Sequence, residues 1–194
     1  MGLAIRVVTE PAEEPLSLVD AKAQCRITGD DDDDLVATYI TAARQHLEET
    51  RGRAYVTQTR ELQLDAFPCR APIEIPRAPL QSVTWIKYYD YGGTLQTWDS
   101  ALYQVDTMSE PGRILPVYGL IYPYPRPQLG AVTIRYVAGY GAAVAVPERV
   151  RQALRLLVAD MWENRSPVVL GVSVSTRNTV DALLPTSEAL WIGQ

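Results

Sequence analysis

"LEETRGRAYVTQTRELQLDAF", Leu47 to Phe67, changes its period at Gly52. Before the glycine, Leu47 ends a series of apolar residues at helical spacing, and after it short runs alternate as a half-buried strand does. Glycine suits the junction because it takes the left-handed conformation that ends a helix without the penalty a Cβ brings. Helix and strand therefore occupy separate blocks of the chain, which points to an α+β fold.

N-terminal to this junction, Leu35, Val36, Tyr39, Ile40, Ala43 and Leu47 define the apolar stripe of a long helix that begins behind "TGDDDDDLV", Thr28–Val36. Ahead of that lies "SLVDAKAQCRI", with Ser17 as N-cap, Asp20 three residues on, and an apolar face of Leu18, Ala21 and Cys25. It reads as a short helix, so the helices cover about 17–52. C-terminal to the junction, about 54–140, come "AYVTQTRELQLDAF", "PIEIP", "SVTWIKYYD", "ALYQVD", "GRILPV" and "AVTIRYVAGY". These are strands; "DYGGTLQTW" carries the glycine pair of a tight hairpin, and "YPYPRPQLG" is a proline-rich loop. The region is a small antiparallel sheet or barrel.

Helix returns over about 147–165 in "VPERVRQALRLLVADMWENRSP", with Pro147 in the first turn and Glu148 complementing the dipole. Val150, Ala153, Leu154, Leu157, Met161 and Trp162 form its stripe, and Pro167 ends it. Two amphipathic stripes need covering. The expected architecture is a small helical bundle, the N-terminal helices packed on the C-terminal one, with the antiparallel β region inserted between them, all in a single domain over residues 1–167.

The remaining tail, 168–194, alternates at Val172, Val174 and Thr176, turns at "TRNT", and finishes with Leu183, Leu184, Leu190, Trp191 and Ile192. It is too apolar for a disordered end. Either it folds back on its own domain, or it is an extended arm that buries itself in a partner by strand addition and apolar anchoring.

Composition narrows the function. The 194 residues carry a net charge of −5, which argues against gripping phosphate backbones over a broad face. Cys25 and Cys69 fit no metal-ligand spacing and read as buried or half-buried thiols. No apolar stretch has the length of a membrane span, and the N-terminus lacks the pattern of a signal peptide. Gly2 opens a myristoylation signal, but Arg6 stands where Ser or Thr is required. The expectation is a soluble, intracellular, unprocessed chain without a membrane partner.

Catalysis finds little support. His46 is the lone histidine, and "GVSVS", Gly171–Ser175, has serine where a nucleophile elbow needs its second glycine. P-loop, Rossmann and Cys/His patterns are absent from the sequence, so neither an enzyme nor a bound cofactor or metal is expected. The aspartates Asp30, Asp31, Asp32, Asp33 and Asp34 fail the calcium-loop spacing, since counting from Asp30 puts Leu35 sixth and Thr41 twelfth. Acid–base work needs burial, and five carboxylates in a row point in all directions. The better reading is that Asp30 or Asp31 caps the second helix and the others lie in or before its first turn. That is more charge than a cap requires.

The order of pieces resembles the head-to-tail connector, or adaptor, family of long-tailed double-stranded DNA phages and gene transfer agents. The residues that carry the resemblance are "LVDAKAQCRITGDDDDDLVATYITAARQHLEETRGRAYVTQT", "IEIPRAPLQSVTWIKYYDYGG" and "VTIRYVAGYG" followed by "VPERVRQALRLLVADMWENR". The resemblance implies a structural protein of the particle neck, made in the bacterial cytoplasm. It implies a ring of about twelve copies under the portal. Its partners would be the portal, neighbouring copies of itself and the next neck component, a stopper, with DNA passing through the channel without sequence-specific binding. In this family the C-terminal end is thought to reach the portal, which makes Val172, Val174, Leu183, Leu184, Leu190 and Trp191 the candidate portal contacts. The acidic balance fits a conduit that phosphate slides past, and the aspartate run is a candidate channel or subunit-interface feature.

Two alternatives differ in class. A stopper or tail-completion protein would be smaller and β-dominated, which the helices Asp34–Thr50 and Pro147–Asn164 oppose. A carbohydrate-binding β module would use "TWIKYYDYGGTLQTW" as a sugar platform, although aromatics in a small sheet are more often core plus ordinary surface.

Overall fold

Strict alternation in "TRELQLD" and "VTIRYVA" builds the middle of the β region, where side chains must divide between a covered face and an open one. The computed structural model describes residues 3–164 together with Val180, Leu183 and Leu184. The strands are β1 (Leu3–Thr9), β2 (Gln58–Leu64), β3 (Ile73–Ile75), β4 (Leu80–Tyr89), β5 (Leu95–Trp98), β6 (Tyr103–Asp106), β7 (Gly112–Pro116) and β8 (Val132–Ala138), and the helices are α1 (Leu18–Cys25), α2 (Asp33–Arg51) and α3 (Glu148–Glu163). They divide into a β unit, residues 3–12 and 57–140, and a helical unit, residues 13–56 and 141–164 with the three tail residues.

The β unit holds a five-stranded sheet in the order β1-β2-β8-β4-β5 and a three-stranded sheet in the order β3-β7-β6. Every pairing is antiparallel. One row across the larger sheet, Ile5–Leu62–Ile134–Ile86–Trp98, is fixed by register, and all of it except Ile5 is buried. The next row, on the opposite face, is Arg6–Glu61–Arg135–Trp85. A slip of one residue in β1, β2 or β8 can put a charge in place of an apolar core group, so the pattern favours one register.

The covered face continues into an aromatic cluster. Trp98 lies 4.9 Å from Tyr103 and 5.4 Å from Phe67 between ring centres, and Phe67 stacks on Tyr122 at 5.3 Å. Tyr122 donates from its hydroxyl to the Ala71 carbonyl, 2.9 Å, and burial pushes its phenol up to about 12. At the start of β7, Gly112 lets the backbone run against Leu80 of β4, where an added Cβ would fall 2.6 Å from the Leu80 Cβ.

Glu61 sits at 3% side-chain exposure in the charged row. One oxygen accepts from Arg6 Nε at 2.7 Å and also pairs with Arg6 Nη2; the other accepts from Arg135 Nε at 2.9 Å and Nη2 at 2.5 Å. Burial alone would raise this carboxyl, but the hydrogen bonds and charges of the two guanidiniums outweigh it and hold it below the ordinary range.

In the helical unit, α1 begins as its sequence dictates: the Ser17 hydroxyl accepts from the Asp20 amide at 3.1 Å. Helix α2 buries Val36, Ile40, Ala43 and Leu47 and ends at Gly52, whose φ is +61°. Helix α3 starts behind Pro147 and buries Val150, Ala153, Leu154 and Val158, while Leu157, Met161 and Trp162 are half-buried. The three helices contact one another pairwise. Each fully covered aliphatic side chain is worth roughly 1.5–3 kcal/mol against about 1 kcal/mol for a cap, so the stripes hold the unit together and the caps set its boundaries.

Inside it lies a charged cluster. Arg44 on α2 donates from Nε to Glu14 at 2.8 Å and from Nη1 to Glu48 at 3.3 Å, while the second Glu48 oxygen accepts the Tyr55 amide at 3.0 Å. Thr41 donates to Glu14 at 2.9 Å. The segment before α1, the body of α2 and the chain beyond Gly52 are thereby tied to one helical turn.

Three features of the fold depart from the sequence reading. Strand β1 is present where none is expected, because "LAIRVVT" pairs along the outside of β2 as an edge. The region 54–140 forms two sheets rather than one. The N-cap position of α2 is Asp32, not Asp30 or Asp31, and its side chain makes no capping bond.

Two outcomes are expected. Arg44→Leu removes a guanidinium from the buried Glu48 carboxylate and costs the helical unit about 3 kcal/mol, read from the urea midpoint of the 222 nm signal; Arg44→Leu with Glu48→Leu recovers most of it. For Glu61 the lowered carboxyl contributes stability above the unfolded value of 4.5, and that contribution is lost as pH falls through the lower folded value. Glu61→Gln should therefore flatten the acid limb of a tryptophan-monitored melt and cost about 1–3 kcal/mol at neutral pH.

Candidate assembly surfaces

The aspartate run is partly neutralised within its own unit. Lys22 of α1, its side chain 16% exposed, donates from Nζ to Asp30 at 2.7 Å and Asp33 at 2.6 Å. The hydrogen bond from Lys22 holds the Asp30 carboxyl below its ordinary value, and those to Asp30 and then Asp33 hold the Lys22 amine above its own. Asp33 and Asp34 lie in the first turn of α2, where the helix dipole favours anions. Asp31 and Asp34 are exposed, and Lys22 does not reach either. Among the described residues no three His, Cys, Asp or Glu side chains converge as a metal site.

Of the candidate portal contacts, Leu184 is buried at 4% exposure in this chain and Leu183 is half-buried. The Leu184 amide donates to the Val180 carbonyl at 3.2 Å, and Val180 is buried as well. Val172, Val174, Leu190 and Trp191 lie outside the described residues, as does Gly171–Ser175. His46 is exposed on α2, Cys25 is half-buried, and Cys69 is exposed, contrary to the expected cover.

The aromatic stretch Thr84–Trp98 does not form a platform. Trp98 is core, Tyr88 meets Phe67 edge-on, and Trp85 lies on the other face of the sheet. Tyr91, 83% exposed, stands at the tip of the β4–β5 hairpin. The aromatics follow the alternation of β4 and divide between core and surface.

The sequence reading missed the outward face of the five-stranded sheet. Arg6, Glu61 and Arg135 share one row with Trp85; the adjacent row holds Ala4, Gln63, Thr133 and Lys87. The Trp85 ring takes Lys87 Nζ at 4.7 Å and the Arg135 guanidinium at 4.8 Å, cation–π contacts that fix both cations in place. A shallow recess of about 130 Å³ is lined by Ala4, Ile5, Arg6, Glu61, Gln63 and Thr133. Outward cations in "AIRV", "TWIK" and "TIRY" were the available signal, because alternation places each on the face opposite an isoleucine.

A second exposed region is the loop between β7 and β8, where Tyr118, Ile121, Tyr124 and Leu129 are 99%, 70%, 80% and 88% exposed. Its prolines keep it out of both sheets.

The fold has close counterparts among solved structures. A chain of the structure described as "Neck of empty GTA particle computed with C6 symmetry" superposes with a TM-score of 0.76 at 24% identity, over 93% of this chain and 92% of that one. A chain of "Virion of native gene transfer agent (GTA) particle" gives 0.74 at 22% identity, over 92% and 94%. A chain of "Neck of native GTA particle computed with C12 symmetry" gives 0.65 at 21% identity, over 93% and 94%. Among curated protein sequences none matches this chain. Residues 15–108 match the family model described as "Phage gp6-like head-tail connector protein".

Proposed function

We propose that this chain is a head-tail connector (adaptor) subunit, a structural component of the neck of a phage or gene-transfer-agent particle. The observation that carries the reading is the connector-family match over residues 15–108 in a chain whose fold follows neck-particle chains over 93% of its length. Chains of this fold occur in necks of six- and twelvefold symmetry, and on that basis about twelve copies assemble here as a ring. The ring sits under the portal, prolongs the DNA channel, and offers its far side to the next neck component. A net charge of −5 suits a wall that DNA slides past.

In this reading residues 1–167 act as the connector domain, the N-terminal helices packed on α3 forming the base from which residues 168–194 leave as an arm. The arm's Val172, Val174, Leu183, Leu190 and Trp191 supply apolar anchors to the portal. Leu184, buried in the isolated chain, joins them only by exchanging its present cover for the portal.

Mixing the purified protein with portal rings of the same particle, followed by size-exclusion chromatography and electron microscopy, tests the reading. The expected outcome is a ring on the narrow end of the portal, and a protein that ignores the portal refutes it. Leu190→Ser with Trp191→Ser should weaken docking by about tenfold or more while leaving the helical signal unchanged, given roughly 1.5–3 kcal/mol for each buried apolar side chain. Undiminished docking would show that the arm is not the anchor.

A further inference from the structure

We propose that the outward face of the five-stranded sheet docks a second copy of this chain, which presents the free carboxylates of its aspartate run to Arg6, Arg135 and Lys87; this deepens the ring reading and rests on it.

The charge distribution supplies the argument. The chain carries a net −5, yet on this face three cations, Arg6, Arg135 and Lys87, stand against one carboxylate, Glu61, and leave two positive charges. Glu61 is already bonded through both oxygens and is buried, so it offers an incoming group nothing. Arg6 has a side chain 76% exposed, and Arg135 one 34% exposed. Glu61 holds both guanidiniums and the Trp85 ring also holds that of Arg135, while their outer N–H groups remain available, an arrangement suited to carboxylates.

The complementary surface is on the same molecule. Lys22 answers Asp30 and Asp33, while Asp31 and Asp34 point their charge into solvent. A helix start gains little from the added carboxylates, which repel one another. A ring built by head-to-tail contacts needs two different patches on each subunit. Subunits with a like net charge repel at long range, so local complementarity must orient and favour their approach. DNA on the sheet face would account for the cations and leave the surplus aspartates without a role, so the second copy is the better occupant.

The test uses the full chain and two reversals. Arg6→Gln with Lys87→Glu inverts the face while Arg135 still serves Glu61; Asp31→Lys with Asp34→Lys inverts the run without touching Lys22. Self-association is followed by sedimentation velocity across protein and salt concentration, ring formation on portals by electron microscopy, and folding by circular dichroism. Each double variant, folded, should need about tenfold more protein to associate, and the fourfold variant should regain most of the loss. Association of the unaltered protein should weaken as salt rises from about 0.05 to 0.5 M.

Unchanged association in either double variant, a fourfold variant no better than its parents, or no self-association of the unaltered protein in any setting overturns the proposal. So does a duplex oligonucleotide that binds the unaltered protein and is lost from Arg6→Gln/Lys87→Glu while association persists, since that assigns the face to DNA. Normal rings on portals from all the variants would leave the connector reading intact and remove only this inference. Charge-restored self-association without portal docking would do the reverse.

Discussion

Glu48 is a carboxylate at 3% exposure, and the geometry around α2 follows from satisfying it. One oxygen takes the Arg44 guanidinium a helical turn away, and the other takes the amide of Tyr55. Desolvating a carboxylate costs several kcal/mol unless such partners are supplied, so the chain leaving Gly52 has little freedom about where it passes. Arg44 in turn must reach Glu14, which fixes the approach to α1. The apolar stripes of the three helices supply most of the stabilising energy. The charged cluster does something different: it selects, among packings of similar stripes, one in which three distant segments meet on one turn.

The β unit solves the same problem with Glu61. A carboxylate in the middle of a sheet is tolerable because the register sets an arginine on each neighbouring strand directly beside it. Those arginines then form a cationic face on an acidic molecule. Stability and surface chemistry are therefore linked, since the guanidiniums that neutralise Glu61 are also groups exposed on that face.

Much of this was legible in the sequence, and the misses share a cause. Helical periodicity located α2 and α3, and Gly52 terminates α2 as its conformational freedom predicts. The strands between residues 58 and 138 were visible because alternation tracks burial on one face. β1 was not, because an edge strand answers to a partner far along the chain rather than to its own pattern. The burial of Arg44, Glu48 and Glu61 was not legible, since charge in a sequence says nothing about a compensating charge 30 or 74 residues away. The same blindness hid the cationic sheet face: each cation looks unremarkable in its own strand, and only the pairing register brings the three together. The aspartate run was found at once. Its division into Asp30 and Asp33, answered by Lys22, and the exposed Asp31 and Asp34 depends on how α1 lies against α2, which no local pattern encodes.

The two kinds of exposed surface on the β unit are suited to different work. A charged face held by cation–π contacts and a buried carboxylate is rigid, is tuned by salt, and raises encounter rates through long-range steering. The β7–β8 loop offers Tyr118, Ile121, Tyr124 and Leu129, groups that gain only when water is excluded at short range. An assembly intermediate benefits from the first before the second, because orientation by charge precedes close packing. A subunit that joins copies of itself, as proposed, has a physical reason to carry both kinds of surface. If apolar contact alone drove association, encounters in wrong registers would be stabilised as readily as correct ones; a charge pattern that repels wrong pairings removes that degeneracy.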